Sequence, residues 1–322
     1  MKVRLLIAGL LISAISLHAQ KSSKTEQILI PAEVNGKCGY IDQTGKWIIQ
    51  PKYYYAENFA KNGLARAIVM TNNNGYAFSH DCWIDKTGKE IPQTLKFEYG
   101  KDFADNGLAP FYNKNGYGYF DTKNNIVITP QFEYACSFAK NGLAAVKIKD
   151  KYGYIDKTGK IVIEPQFEGA NEFAANGLAA VKIKGKYGYI DKTGKIVIEP
   201  QFDFAHKFSD NGLAAIKINN KHGYIDKTGN IVIKPQFDYA FQFQSNGLAC
   251  IHLNGKTGCI DKTGKIIIEP KFDDIRIYKN IIFAKTKGKW GIIDKTGNFI
   301  KSPEFDNVVE LGVPIVQEEC PF

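Results

Sequence analysis

One pattern of apolar and polar positions recurs along most of the chain, and it is clearest from Gly177 to Phe202. In Val181-Lys-Ile-Lys184 apolar and charged residues alternate with period two, the mark of a half-buried strand. Gly185-Lys186 reads as a two-residue hairpin turn, and Tyr187 to Ile190 returns antiparallel with β-favouring residues. Asp191-Lys-Thr-Gly194 predicts a tight turn, with Asp bonding its own backbone and Gly in the left-handed region. Ile196 to Ile198 is a third strand, stopped by Pro200, which has no N–H to donate. Phe202 to Asn211 reads as a short helical turn or irregular connection before Asn211-Gly212 opens the next unit.

The Asp that closes the second strand returns as Asp42, Asp85, Asp121, Asp156, Asp191, Asp226, Asp261 and Asp294, with a spacing of 35 residues through the middle of the chain. The units beginning at Ala145 and Ala180 agree at about 28 of 35 positions, which is internal duplication. One such unit has too few apolar side chains to offset the entropy of ordering it, so neighbours must share apolar faces. The first hairpin loop is enlarged by Met70 to Cys82, Cys82 replaces the usual Gly, and Asn124 stands for Gly in the third turn. The expected fold is all-β: about eight tandem units of some 35 residues and three strands, stacked as an elongated or superhelical array. A closed propeller-like ring is the alternative, set aside because ordinary blades have four strands and run to about 40 residues or more.

The last unit reads Lys289-Trp290-Gly291-Ile-Ile-Asp294-Lys-Thr-Gly297. With it, the array from about Val34 to Glu310 resembles the tryptophan–glycine (WG) repeat family of bacterial proteins. Seven units carry another residue where Trp290 stands, but most keep the Gly-x-Ile-Asp, Thr-Gly and Pro-x-Phe framework. The resemblance implies a β-rich repeat structure, often exported or in the cell envelope, with no established catalytic role.

The N-terminus departs from the repeat. Lys2 and Arg4 precede an apolar run from Leu5 to Leu17, and Leu17-His18-Ala19 offers a small-residue cleavage site. Residues 1–19 are therefore expected to be a signal peptide, 20–33 a linker, 34–310 the repeat array and 311–322 a C-terminal cap. The mature chain is expected to be exported to the periplasm, cell surface or exterior, with no transmembrane segment. Its positive charge, +9 for the whole chain, is almost all lysine, since Arg4, Arg66 and Arg276 are the only arginines. Lysine lacks the planar fork that reads phosphates and base edges, so nucleic acid is not an expected partner.

Candidate chemistry is sparse. His80, His206, His222 and His252 are one-off substitutions at repeat positions, and the repeated Asp is accounted for by its turn. No phosphate cradle, nucleophile elbow or metal-ligand spacing occurs, so neither an enzyme nor a cofactor is expected. Six cysteines follow the signal, and Cys250 and Cys259, on the arms of one hairpin and diagonal to one another, are a candidate disulfide. Cys38 and Cys82, on equivalent strands of neighbouring units, are a weaker pair.

Two repeated features are candidates for binding. Lys147, Lys182 and Lys217 form a ladder, with a second lysine row, Lys157 to Lys295, in the Asp turns. Tyr55, Tyr99, Tyr134, Phe204 and Tyr239 form an aromatic row with Gly169 as a gap. The bland readings are a solvated, charge-balanced face for the lysines and burial between repeats for the aromatics. The function expected is a non-catalytic binding or scaffold module engaging a protein or envelope polysaccharide. A structural or adhesive spacer is the alternative.

Overall fold

The structure is a computed structural model and describes residues 28–308, except 60–62, 74–75, 92–102 and 124. The signal peptide, the C-terminal cap, Cys320 and Tyr99 lie outside the described residues, as does the side chain of His80. The described residues form no helix and eight antiparallel sheets, seven of them four-stranded.

The fifth sheet, blade 5 (residues 169–202), shows how the sequence builds each one. Ala179–Ile183 pairs with Lys186–Ile190 from Ala179↔Ile190 to Ile183↔Lys186. The two-residue turn is therefore Lys184-Gly185, one residue earlier than Gly185-Lys186, and both residues have positive φ. Such a turn matches the twist of the paired strands. In the next turn Asp191 Oδ1 accepts hydrogen bonds from Thr193 N at 2.8 Å, Thr193 Oγ1 at 2.6 Å and Lys195 N at 3.1 Å. Gly194 has φ +86°, as expected of the left-handed position in this turn.

The strand read as Ile196 to Ile198 is the outermost of its sheet; it runs through Pro200 and ends only at Phe202. Pairing of Tyr189↔Ile198 and Tyr187↔Phe202 leaves two extra residues on the outer strand, and Pro200 sits in this bulge, where no ladder bond is required of it. The bulge crosses directly over Gly188: a Cβ there would lie 2.5 Å from the Ile198 carbonyl oxygen and 2.7 Å from Pro200 N. The same clash, at 2.4–2.6 Å, holds for Gly39, Gly118, Gly153, Gly223, Gly258 and Gly291. In these seven repeats the glycine and the Pro-containing bulge are thus two halves of one contact.

A fourth strand was hidden in the connection. Gly169–Ala170 pairs with Lys182 and Val181, and the equivalent pairs Tyr134–Ala135, Phe204–Ala205 and Tyr239–Ala240 do the same in their own blades. These two-residue strands lie nearest the axis. Adjacent ones touch, as where Asn171 Nδ2 donates to Ala205 O, whereas the outer strands leave residues such as Ile196 and Val197 exposed.

The open superhelical array is corrected by how the chain ends. Asn307–Val308 pairs with Ile30–Val34 through Ala32↔Val308 and Glu33↔Asn307, so the first sheet takes its innermost strand from the C-terminal end. Ile281, Phe283, Trp290 and Phe305 of the last blade share one core with Ile30, Ala32 and Ile41 of the first. The result is an eight-bladed β-propeller, closed as a ring. Residues 30–33, assigned to a linker, belong to its first blade. The insertion in the second blade lengthens the hairpin rather than its loop, with Ala65–Asn73 paired to Tyr76–Ile84.

Five of the eight blades are tied to the next by a buried tyrosine. The hydroxyls of Tyr40, Tyr119, Tyr154, Tyr189 and Tyr224 donate to the carbonyls of Glu57, Cys136, Asn171, His206 and Phe241, at 2.7–2.8 Å. Most of these rings also pack on an aromatic of the next blade, as Tyr154 on Phe173 at 4.8 Å. Burial holds these phenols well above their usual range.

Replacing Gly188 by Ala is expected to cost about 1–3 kcal/mol, since backbone lies on the far side of the new methyl. Gly169→Ala, whose Cβ would meet nothing closer than 3.4 Å, is the matched control with little change in thermal midpoint. The turn carboxylates predict a pH dependence. Hydrogen bonds from Thr296 Oγ1 and the Asn298 N–H, above all, pull Asp294 down to about 2, and Thr193 holds Asp191 below its usual value. A depressed carboxylate stabilises the fold above its unfolded pKa near 4 and loses that contribution as pH falls through its folded pKa. The thermal midpoint should therefore fall between pH 4 and pH 2, and less steeply in Asp294→Asn.

Candidate functional site

The two candidate rows meet on one surface. Tyr134 is the cross-strand partner of Lys147, Gly169 of Lys182 and Phe204 of Lys217, so each lysine of the ladder stands beside the row position of the innermost strand. The third strand adds Tyr152, Tyr187 and His222 opposite the same lysines. All these residues lie near the two-residue hairpin turns, hence toward one rim of the ring. The second lysine row, with Lys157, Lys192, Lys227, Lys262 and Lys295, is exposed in the Asp turns at the other end of the strands. The two lysine rows read from the sequence therefore lie at opposite ends of the strands.

The aromatic row is neither fully buried nor fully exposed. Tyr134, Phe204 and Tyr239 are half-buried, Tyr55 is exposed, and Gly169 is buried. Tyr134, Phe204 and Tyr239 lean back on the strand third from the axis in the preceding blade: Tyr134 on Tyr117 at 5.1 Å, Phe204 on Tyr187 at 5.6 Å and Tyr239 on His222 at 4.7 Å. In the last blade the row position is Asp274, and Trp290 is covered instead by Arg276 at 4.5 Å and Lys285 at 5.8 Å. The Arg276 guanidinium also donates to the Val308 carbonyl, joining the Trp290 contact to the closing strand.

The ladder lysines differ in their surroundings. Lys147 Nζ lies 3.0 Å from Asp150 Oδ1 and 3.6 Å from Glu133 Oε2, and the Asp150 hydrogen bond, above all, raises its pKa. Lys182 lies over the Tyr187 ring at 5.7 Å. A second carboxylate per blade, not singled out from the sequence, braces this rim. Glu168, Asp203, Asp238 and Asp306 accept backbone N–H bonds from the hairpin turns at Gly185, Asn219, Asn254 and Asn35. Asp203, Asp238, Asp273 and Asp306 also pair with Lys186, Lys221, Lys256 and Lys289. The signal was present as the acidic residue after each Pro-x-Phe, but only the folded corner brings it to the turn.

Cys250 and Cys259 are directly opposed, not diagonal, with buried sulfurs 3.5 Å apart and both thiols free. Cys259 stands where the inter-blade tyrosine stands in five other blades. Cys38 and Cys82 are not bridged to one another and are buried in one core, and burial pushes the Cys38 thiol up to about 11.

Three histidines read from the sequence as unrelated substitutions converge. His206, His222 and His252 surround Tyr239 with ring centroids at 6.3, 4.7 and 5.9 Å. Phe204 and Phe241 complete the cluster, Phe204 4.7 Å from His206 and Phe241 5.4 Å from His252. Among the described residues no group of three or more His, Cys, Asp or Glu side chains has a geometry that could hold a metal ion.

The solved structure of a eukaryotic initiation factor superposes with a TM-score of 0.54 at 15% identity, over 87% of this chain and 88% of that one, which shows likeness of fold alone. Apo AztD from Citrobacter koseri gives 0.49 at 15% identity, covering 86% of this chain and 93% of its own. Hsv2p from Kluyveromyces lactis gives 0.46 at 10% identity, over 75% and 92%. No curated protein matches the sequence. The family described as "WG containing repeat" matches residues 39–76, 117–152, 152–187, 187–221, 223–256, 258–290 and 290–310. Since all seven of these stretches carry the glycine over which an outer strand bulges, and together they span most of the ring, the chain belongs to the WG-repeat family.

Proposed function

We propose that the mature protein, residues 20–322, is an exported, non-enzymatic binding module of the bacterial envelope or exterior. It holds a protein or polysaccharide partner against the rim that carries the two-residue hairpins. The observation that carries this reading is the cross-strand pairing of aromatic and lysine positions, half-exposed and close to the axis, at one level of successive blades. The framework residues are nearly invariant from blade to blade, while the row residues change from Tyr to Gly, Phe and Asp. A fixed scaffold with a variable rim suits recognition.

The non-enzymatic part of the proposal rests on how the displaced titratable groups are used. The depressed aspartates hold turns or pair with hairpin lysines, and the buried tyrosines tie blades together. Their shifted pKa values follow from structural duties. The spacer reading has less support in a ring than in an open array. A closed ring does not lengthen by adding a unit, and removing one would break the pairing of Ile30–Val34 with Asn307–Val308.

Two measurements test the proposal. Expression of the full chain in a bacterial host, followed by fractionation and mass determination, should yield a product beginning at Gln20 outside the cytoplasm; a full-length cytoplasmic product would overturn export. Residues 20–322 should also be retained by envelope extract or purified cell-wall polysaccharide at high salt, and a Tyr134→Ala/Phe204→Ala/Tyr239→Ala variant should lose that retention. Retention at low salt alone would reduce the rim to a loose polyanion surface. No retention under either condition would overturn the binding role.

A further inference from the structure

The axial ends of blades 6 and 7 differ from the rest of the ring. In blades 4 and 5 the third-strand position beside the ladder lysine is Tyr152 and Tyr187, whereas blade 6 places His222 there. His252 replaces the ladder lysine in blade 7 and stands directly beside Tyr239. His222 is 97% buried, at 3% relative exposure, yet its Nδ1 has no hydrogen-bond partner within the protein, and neither has His252 Nε2. A buried nitrogen left unmade costs stability that the tyrosine of the neighbouring blades would not. The fold therefore does not ask for these imidazoles.

The chemistry around them is specific. Burial, with His206 and Lys217 nearby, holds His222 down to about 4, so at neutral pH it is an uncharged ring with one donor and one acceptor. Tyr239, Phe241 and His252 are half-exposed, which leaves a way in from the axis. The rings meet Tyr239 at 43°, 85°, 63° and 47°, so none lies parallel to Tyr239 to form with it a slot for a flat heteroaromatic ligand. Single tilted π-faces suit the C–H edge of a saturated ring, which carries the positive end of its bond dipoles toward the face. Hydroxyls both donate and accept, as neutral imidazoles do. Charges of both signs stand close by, Lys217 acting on His222 and the half-buried Asp274 facing His252, so the site selects for neither an anion nor a cation.

We propose that Tyr239, His222 and His252 form a subsite for one neutral pyranose ring of a polysaccharide, stacked on Tyr239 with its hydroxyls bonded to the two imidazoles. This rests on the binding-module reading above and narrows its partner to a glycan.

The test follows the histidine ring signals of residues 20–322 by NMR while neutral hexasaccharides (cellohexaose, maltohexaose, xylohexaose, chitohexaose) are added. At least one should move the His222 and His252 signals saturably, with a Kd on the order of 1 mM for a single sugar subsite. Tyr239→Ala should weaken this about tenfold or more. The fold tolerates that loss, because Gly169 is native at the same position of blade 5. His222→Tyr restores the residue of blades 4 and 5, so it should fold and lose the binding, while Val197→Ala, on an exposed outer strand, should bind as the unaltered chain does. Histidine signals that no hexasaccharide moves, undiminished binding in Tyr239→Ala, or displacement of the same signals by adenosine instead would each overturn the proposal. Retention of the unaltered chain by envelope extract together with silent histidines would sink the glycan subsite alone. Hexasaccharide binding without envelope retention would sink the envelope role and leave the subsite standing.

Discussion

Everything in this molecule depends on two backbone pairs, Ala32↔Val308 and Glu33↔Asn307, by which the end of the repeat array supplies the missing strand of its beginning. The corner is fastened further by Asp306 N donating to Glu33 O, Asn35 N to Asp306 Oδ2, and Arg276 to Val308 O. An open stack of sheets would leave the apolar faces of its first and last members in water, here Ile30 and Ile41 at one end and Phe283 and Trp290 at the other. Closing the ring buries both faces against each other and leaves no terminal blade to cap.

Closure imposes a common geometry on every blade, and a few residues meet it repeatedly. The glycine under the bulge lets the outer strand bend across its neighbour, the Asp turn returns the chain in three residues, and the buried tyrosine reaches the next blade. Because each of these acts on backbone, the surrounding side chains are free to differ. The outer strands show the same economy at the periphery. They expose pairs such as Ile161-Val162 and Ile196-Val197, but the Pro-containing bulge breaks each outer edge as a template for another strand.

The residues released from these duties are where individuality collects. Row positions on the innermost strands, the ladder beside them and the third-strand position between blades carry Tyr, Phe, Gly, Asp, Lys, His and Trp on a common backbone. The histidines illustrate the consequence. Spaced by 16 and 30 residues along the chain, they look unrelated, yet blade packing sets all three around one tyrosine.

The local chemistry was legible from residue order alone: the period of 35, the strands with alternating character, the Asx turn at Asp191 and the left-handed Gly194. Each depends on bonds within a few residues, so the sequence of those residues determines it. The two-residue inner strand was not legible, because Phe204-Ala205 is too short to have a period, and Pro200 disguised a bulge as an end. Nor was the choice between open array and ring. That choice depends on the angle each blade makes with the next, which is set by how Tyr189, Ile198 and Phe202 pack against Ala214, Ile216 and Ile225. A repeat period counts residues and carries no angle, so only the packed structure decided that the eighth blade would meet the first.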